Sequence, residues 1–152
     1  MNQIDDSVAH GRAIIDANLY MVLGTADADG RPWATPVYFA PVDYREFLWV
    51  SRPGATHSRN IEARSEISIV IFDSTVPINT GRAVYVSATA AEVGEADRAA
   101  ALEAYSQRAV AHGGEAFAPE DVQAPAHLRL YRAVAGDQYI LSETDERIPV
   151  SL

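Results

Sequence analysis

The run from Tyr20 to Ser74 constrains the fold most, because short apolar segments alternate there with turn signals around one short helix. Three strands are predicted first, at Tyr20–Ala26, Trp33–Ala40 and Phe47–Ser51. After the break at Arg52-Pro53-Gly54-Ala55, Thr56 is the predicted N-cap of a helix that runs to about Arg64. The segment Ile67–Phe72 is β-branched and apolar, which predicts a central buried strand. Because proline cannot donate a hydrogen bond to a neighbouring strand, Pro36 is predicted to lie at a sheet edge, in a bulge or facing a ligand.

The rest of the chain adds two helices and three strands. Helices are predicted at Ile4–Asn18 and Ala96–Val110, a mobile loop at Ala111–Ala126, and strands at Arg82–Val93, His127–Val134 and Gln138–Ser142. The last two strands are predicted to meet at a Gly136-Asp137 turn. This pattern predicts a single domain over residues 1–152, a mainly β fold of six to seven mostly antiparallel strands forming a small barrel with peripheral helices. Strict βαβ alternation and a GxGxxG motif are absent, which excludes a Rossmann fold.

Composition excludes several classes of function. The net charge of −9 and the absence of an arginine cluster in the sequence argue against nucleic-acid binding. The chain has no cysteine, and all twelve of its basic residues are arginine, so thiolate, disulfide and lysine Schiff-base chemistry are impossible. Its four histidines show no metal-ligand spacing, so no metal site is expected. Without an apolar span or signal peptide, a cytoplasmic location away from membranes is expected.

The start of the second predicted helix carries the clearest chemical signal. Helix starts present free N–H groups and the positive end of the helix dipole, which favour an anion such as phosphate. Here Thr56, His57, Ser58 and Arg59 add two hydroxyls, an imidazole and a guanidinium. Capping alone explains Thr56 equally well, and a solvated Arg59 is common. His57 favours a nearby anion, since a helix start disfavours a protonated imidazole, although a neutral surface histidine is the alternative.

Three stretches, LGTADADGRPWATPVYF, EFLWVSRPGATHSRNIEA and ISIVIF, together with the order of elements, resemble the pyridoxamine 5'-phosphate oxidase-like family. The resemblance runs from about Asp16 to Leu141. It implies a split β-barrel that forms a homodimer and binds FMN, or a deazaflavin, at the subunit interface. In that family the cofactor performs hydride or electron transfer on a small-molecule substrate.

The resemblance also implies residue roles. The ring system would lie against the second and third strands, and the phosphate would bind at the start of the following helix. The first residue of the fifth strand would contact the flavin, and an aromatic residue near the last strand would approach it from the partner subunit. The residues that would meet the ring system are Thr35, Pro36, Val37, Val50 and Ser51, and those that would bind the phosphate are Thr56, His57, Ser58 and Arg59. Ala83 would take the flavin-contacting place in the fifth strand, and Tyr139 would be the aromatic residue from the partner subunit.

The sequence departs from the true oxidases of this family. Thr35 stands where they carry the phosphate-binding arginine, Ala40 where they carry a lysine for the substrate phosphate, and Ala83 where they carry a glutamine. The tail Glu143-Thr144-Asp145-Glu146-Arg147 replaces their C-terminal Arg-Leu-His type motif. Oxidation of pyridoxamine phosphate is therefore not expected.

Three hypotheses follow. The first is a dimeric FMN-binding oxidoreductase, the second a deazaflavin-dependent reductase of the same fold, and the third a non-catalytic dimer that binds a flavin or another planar ligand. Trp33 and Trp49 could stack on a flavin, but tryptophans on adjacent strands more often belong to a core or an interface. No residue is assigned to catalysis, because a bound flavin carries the chemistry.

Overall fold

The structure of the protein, a computed structural model, describes residues 3–152. Met1 and Asn2, which the domain prediction includes, lie outside the described residues. The helices are α1 (Gln3–Ala17), α2 (Thr56–Ala63) and α3 (Glu95–Ala111), with a short 3₁₀ turn at Pro119–Val122. The strands are β1 (Tyr20–Ala26), β2 (Pro32–Tyr38), β3 (Ala40–Val42), β4 (Glu46–Ser51), β5 (Glu66–Phe72), β6 (Ala83–Glu92), β7 (Arg129–Leu141) and β8 (Arg147–Val150).

All strand pairs are antiparallel and form one curled sheet. The order is β2-β1-β5-β6-β7-β4-β3, and β8 adds to β7. The two ends of this order approach each other, since β2 also contacts β4, and α2 packs against β1 and β2. The chain therefore folds as a split barrel with three helices, which confirms the predicted mainly β fold class.

The barrel interior is the main core. Alternate residues of each strand face inward, as period-2 patterning requires, and the interior is fully buried at Trp49, Phe39, Phe47 and Ile71. The predicted inward face of β6 is confirmed, because Val84, Val86, Ala88 and Ala90 all belong to this core. Ile14 and Ile15 of α1 and Ile61 of α2 complete it.

A second core lies outside the barrel, under α3. Leu102, Tyr105 and Ala109 of this helix pack on Leu48 and Leu130 of the sheet. The segment that precedes β7, predicted as a mobile loop, is anchored to the same cluster. Val122 of its 3₁₀ turn is fully buried, and the Phe117 N–H donates to the Ser106 hydroxyl at 3.0 Å.

Four predictions of local structure were wrong in detail. The second predicted strand is divided at Phe39, so that Ala40 starts β3. The two final predicted strands are one strand, β7, in which Gly136-Asp137 forms a bulge opposite Ser87 instead of a turn. Ile67–Phe72 is central in the sheet but buried on one face only, with Ser68 and Phe72 exposed. The residue at the N-cap of α2 is Ala55 and not Thr56.

The C-terminal residues are part of the domain. After β8, the Leu152 N–H donates to Gln138 Oε1 at 3.1 Å, and the Leu152 side chain is buried. It packs against Gly11 of α1 so closely that a Cβ at position 11 would lie 2.6 Å from Leu152 Cδ2. Within residues 3–152, no helix is long and apolar enough to cross a membrane.

Candidate functional site

The start of α2 is open to solvent. Ala55 has extended backbone dihedral angles, and among the described residues no side chain caps the first N–H groups of the helix. Thr56 is the first helical residue and is exposed. The free N–H groups that favour an anion are therefore present, as the sequence predicted.

The His57 side chain points into the protein. Its Nε2 lies 2.8 Å from the Ser51 Oγ at the end of β4, and its side chain is buried. Burial lowers the pKa of His57 below its usual value, because removal from water penalises the charged imidazolium. This shift favours the neutral form of the imidazole beside Ser51, and the buried His57 side chain is turned away from solvent.

Ser58 also points inward, near the phenol of Tyr131, which stacks on Trp49. Trp49 and Tyr131 stack with ring centroids 5.7 Å apart. Burial raises the pKa of the Tyr131 phenol, and the nearby Ser58 hydroxyl acts in the opposite direction. Within residues 3–152, neither Ser58 Oγ nor Trp49 Nε1 has a partner in hydrogen-bonding geometry, although both are buried. Unsatisfied buried polar atoms are rare and costly.

Arg59, one of the predicted phosphate residues, faces a cavity. It lines a cleft of about 610 Å³ between two walls. One wall is Arg52, Pro53, Gly54 and Arg59, from the β4–α2 connection and α2. The other is Ala124, Pro125, Ala126, His127 and Arg129, from the segment entering β7. The cleft forms there because Ser51 and Arg129 are paired across β4 and β7, and the chain diverges beyond that pair.

The cleft is strongly basic. Three arginines and one histidine are among its nine lining residues, and none of the nine is acidic. A random sample of nine residues from this chain, with twelve arginines in 152 residues, would hold fewer than one arginine. The concentration of positive charge is therefore specific to this place in an otherwise acidic molecule.

The three guanidinium groups differ in freedom. The Arg129 side chain is fixed, since its Nη1 donates at 2.6 Å to the carbonyls of Ala126 and Leu128, and its Nε lies 3.6 Å from a Glu92 carboxylate oxygen. Arg52 and Arg59 are exposed, and no carboxylate of the described chain lies within ion-pair distance of either. Free guanidinium groups on one side and a fixed one on the other suit an anionic ligand.

The residues predicted to meet a ring system lie in different environments. Val37 belongs to the barrel core, whereas Pro36 is exposed on the outer face of the edge strand β2. Val50 packs under α3, and the Ser51 hydroxyl is occupied by His57. Thr35 is half-buried.

Ala83 and Tyr139 occupy strand positions that face outward from the barrel, although Ala83 is buried, with 5% of the residue exposed. The registers align Pro36, Val22, Val70, Tyr85 and Tyr139 in one row across five strands. Four strand spacings separate the ends of this row, about 19 Å. Pro36 and Tyr139 of the same chain therefore cannot contact one ring system, and the predicted role of Tyr139 requires a second subunit.

This outer face carries few charges. The neighbouring row of outward-facing positions, Gly24, Ser68, Ser87 and Gly136, forms the floor of a trough of about 900 Å³. Trp33 lies at the edge of this trough and is half exposed. Glu66 and Asp137 are the charged residues that line the trough. The helix α3 packs on the other half of the sheet, against β3 and β4.

Sequence reasoning did not identify Arg52, His127 and Arg129. Arg52 was within the predicted break after the third strand, where it marked a loop only. Arg129 and His127 follow Arg59 by about 70 positions, and only the pairing of β4 with β7 brings them together. Across residues 3–152, no group of three or more histidine, aspartate or glutamate side chains is arranged to hold a metal ion.

Comparisons with known proteins agree with the fold. The sequence matches the family model described as pyridoxamine 5'-phosphate oxidase over residues 8–134. A search of the curated proteins finds no match. Among solved structures, a heme binding protein from Mycobacterium smegmatis is similar with a TM-score of 0.74 and 17% identity, over 95% of this chain and 58% of that chain.

Two further structures are similar over most of both chains. The heme storage protein HutZ from Vibrio cholerae has a TM-score of 0.67 and 17% identity, and the match covers 85% of this chain and 90% of that one. An FAD-binding protein from Mesorhizobium loti has a TM-score of 0.69 and 18% identity, over 88% and 93% of the respective chains. At these identities the similarity shows the fold alone.

Proposed function

Because the chain belongs to the pyridoxamine 5'-phosphate oxidase family, whose model matches residues 8–134, we propose that it binds a flavin non-covalently and acts as an oxidoreductase on a small organic substrate. The observation that carries this proposal is the basic cleft beside the open start of α2. Flavin cofactors of this family carry a phosphate, and the cleft offers that group guanidinium donors and free helix N–H groups.

The phosphate contacts that we infer differ in part from the set that the sequence predicts. Arg59 and the exposed Thr56 can reach a phosphate at the start of α2, and Arg52 supplies a second guanidinium that the sequence did not suggest. His57 and Ser58 would support this arrangement from inside, by packing α2 against the barrel rather than by contact with the ligand.

The ring system would lie beside the exposed edge of β2 at Pro36, where backbone groups of an edge strand are free to bond a ligand. When bound, the flavin supplies the hydride or electron transfer. The protein would position the ring and exclude water from it, which needs no catalytic side chain. Ala40 is buried in place of the family's substrate-phosphate lysine, so the substrate we propose is not pyridoxamine phosphate.

We further propose that the protein is a homodimer through the uncovered outer face of the sheet. The separation of Pro36 from Tyr139 supports this, because a partner subunit would bring its Tyr139 to a ring at Pro36. Ser68→Glu places a charge in the middle of that face at an exposed position. Light scattering should find the wild type dimeric and this variant monomeric, and a dimeric variant would show that another surface mediates assembly.

A deazaflavin is the alternative cofactor for the same site. The second-strand arginine of the FMN-dependent oxidases is replaced here by Thr35, which weakens the case for FMN specifically. Parallel titrations with FMN and with a deazaflavin separate the two, since the tighter ligand is the candidate cofactor.

A second candidate function is the non-catalytic binding of heme. His127 is exposed in the basic cleft, so that an imidazole able to ligate iron lies near guanidinium groups able to pair with propionates. Two of the similar structures are described as heme proteins. Addition of hemin to wild type and to His127→Ala tests this, because a ligating histidine predicts a shifted Soret band that the variant lacks.

The flavin proposal is tested by affinity and then by turnover. Arg59→Ala should weaken FMN binding at least tenfold, because one charge-assisted contact contributes about 1.5–3 kcal/mol. Arg31→Ala, an exposed arginine on the β1–β2 turn, is the matched control and should bind like wild type. Equal FMN affinities for the two variants would contradict the phosphate assignment, and bound flavin that no donor reduces would contradict the oxidoreductase role.

A further inference from the structure

A slot of about 580 Å³ lies between α3 and the segment that follows it. Within residues 3–152, it shares no lining residue with the basic cleft or with the trough on the sheet. Its volume falls in the range of small-molecule sites, which are mostly apolar with a few placed polar groups. Six of its nine lining residues are apolar, namely Ala99, Leu102, Val110, Ala116, Phe117 and Pro119.

The slot is formed before any ligand arrives, because the segment that closes it is anchored to α3. The Phe117 N–H donates to the Ser106 Oγ at 3.0 Å, and the Phe117 ring packs on Tyr105 with centroids 5.9 Å apart. Just beyond the slot, Val122 is fully buried. A preformed site saves a ligand the cost of ordering the chain around it.

Ser106 carries the chemical signal of this slot. A serine within a helix often donates its O–H to the carbonyl four residues earlier, as Ser7 of α1 does to Gln3 at 3.1 Å. Within residues 3–152 Ser106 donates to no acceptor, and its oxygen accepts the Phe117 N–H instead. Ser106 is 8% exposed and lines the slot. Because a buried O–H rarely lacks an acceptor, its donor is available to a ligand.

The charges at the slot disfavour an anion. Glu103 is the charged residue of the lining, and Glu115 and Glu120 adjoin lining residues in the sequence. None of these three carboxylates forms an ion pair in the described part of the chain. An anionic ligand would face like charge without a compensating cation.

We propose that this slot binds an uncharged small molecule with an apolar body and a carbonyl oxygen, which accepts a hydrogen bond from the Ser106 hydroxyl. A carbonyl fits because it accepts without adding an O–H that an apolar lining would leave unsatisfied. The site is separate from the basic cleft, so the proposal does not rest on the flavin function.

Three probes of similar size test the ligand chemistry. Acetophenone has a phenyl ring and a carbonyl, ethylbenzene lacks the acceptor, and benzoate carries a negative charge. Titrations followed by the NMR shifts of backbone amides should show acetophenone binding at least about threefold more tightly than ethylbenzene. Benzoate should bind most weakly. The shifted amides should belong to α3 and to residues 116–119.

Variants assign the preference and the place. Ser106→Ala should bring the ratio of acetophenone to ethylbenzene affinity close to one. Because the two ligands share one body, a general change in the slot alters both affinities and leaves their ratio. Ala99→Phe fills the slot from an exposed position and should weaken both ligands at least about fivefold. Ala100→Phe, exposed on α3 outside the lining, is the matched control and should bind like wild type.

Each outcome decides one part of the proposal. Equal affinities for acetophenone and ethylbenzene, or an unchanged ratio in Ser106→Ala, would refute the hydrogen bond from Ser106. Binding in Ala99→Phe that equals binding in Ala100→Phe would refute the location. Benzoate affinity equal to that of acetophenone would refute the preference for an uncharged ligand. If none of the three probes binds saturably, the slot is not a small-molecule site.

Discussion

Replacement of Ser58 by alanine should stabilise the protein. The Ser58 Oγ is buried, with 3% of the residue exposed, and has no hydrogen-bond partner in the described structure. A buried hydroxyl without a partner costs about 1–3 kcal/mol. Loss of one atom leaves a cavity of roughly 15 Å³, which costs about 0.4 kcal/mol at ~24 cal/mol per Å³. The net expectation is a gain of about 1–2 kcal/mol.

Ser106→Ala is the matched control. Ser106 is similarly buried, at 8% exposed, but its hydroxyl accepts the Phe117 N–H at 3.0 Å. The same substitution there leaves a donor without its partner and should destabilise the protein by about 1–2 kcal/mol. The two variants therefore move stability in opposite directions, although the chemical change is identical.

Urea denaturation measures both effects. With a slope of about 2 kcal/mol/M, the midpoint should rise by roughly 0.5–1 M for Ser58→Ala and fall by a similar amount for Ser106→Ala. If Ser58→Ala destabilises instead, its hydroxyl has a partner in solution, and Tyr131→Phe would test whether that partner is the neighbouring phenol. FMN affinity should not change in Ser58→Ala, and a loss would show that Ser58 contacts the phosphate.

Three further predictions concern burial at other sites. Because the pKa of His57 is lowered in the folded state, the unfolded chain binds the proton more readily. The free energy of unfolding should therefore fall as the pH drops from about 7 through the usual histidine pKa near 6.5 toward the lower folded value. Urea midpoints of wild type and His57→Gln measured across this range check the prediction, and the same dependence of the midpoint on pH in both proteins would contradict it. Leu152→Ala should lower the free energy of unfolding by about 2–4 kcal/mol, since the Leu152 side chain is buried against Gly11 and Ile140. Thermal or urea unfolding measures this change, and an unchanged midpoint would show that the C-terminus is not docked. Gly11→Ala should destabilise wild type, because the added Cβ would lie 2.6 Å from Leu152 Cδ2 and 3.2 Å from Ile140 Cγ2. It should destabilise the Leu152→Ala variant less, since the closer of the two contacts is then removed, and additive effects in this double-mutant cycle would contradict the contact with Leu152.

The strand pattern made most of the fold predictable. Alternating or β-branched segments located five of the eight strands closely (β1, β2, β4, β5 and β6), and the alanine-rich segment located α3 within one residue at each end. The errors have physical causes. Gly136-Asp137 resembles a turn locally, but pairing of β7 with both β6 and β4 keeps the chain extended through a bulge. β8 forms in a polar tail because β7 offers it a partner, which no local propensity shows.

The site was less predictable than the fold. The helix start was located correctly, but its side chains could not be assigned to the inside or outside without the packing of α2 on β1 and β2. His57 and Ser58 are turned inward by that packing, and Arg59 is turned outward. The cleft depends on a pairing between β4 and β7, about 80 residues apart, so the position of Arg129 in its lining was not visible in the sequence.

The absorbance spectrum of the freshly purified protein, recorded before and after addition of FMN, tests the central claim most directly. The account predicts the bands of oxidised flavin, either as purified or after a saturable titration, with weaker binding in Arg59→Ala than in Arg31→Ala. A Soret band from copurified or added heme, with no saturable binding of FMN or of a deazaflavin, would contradict it.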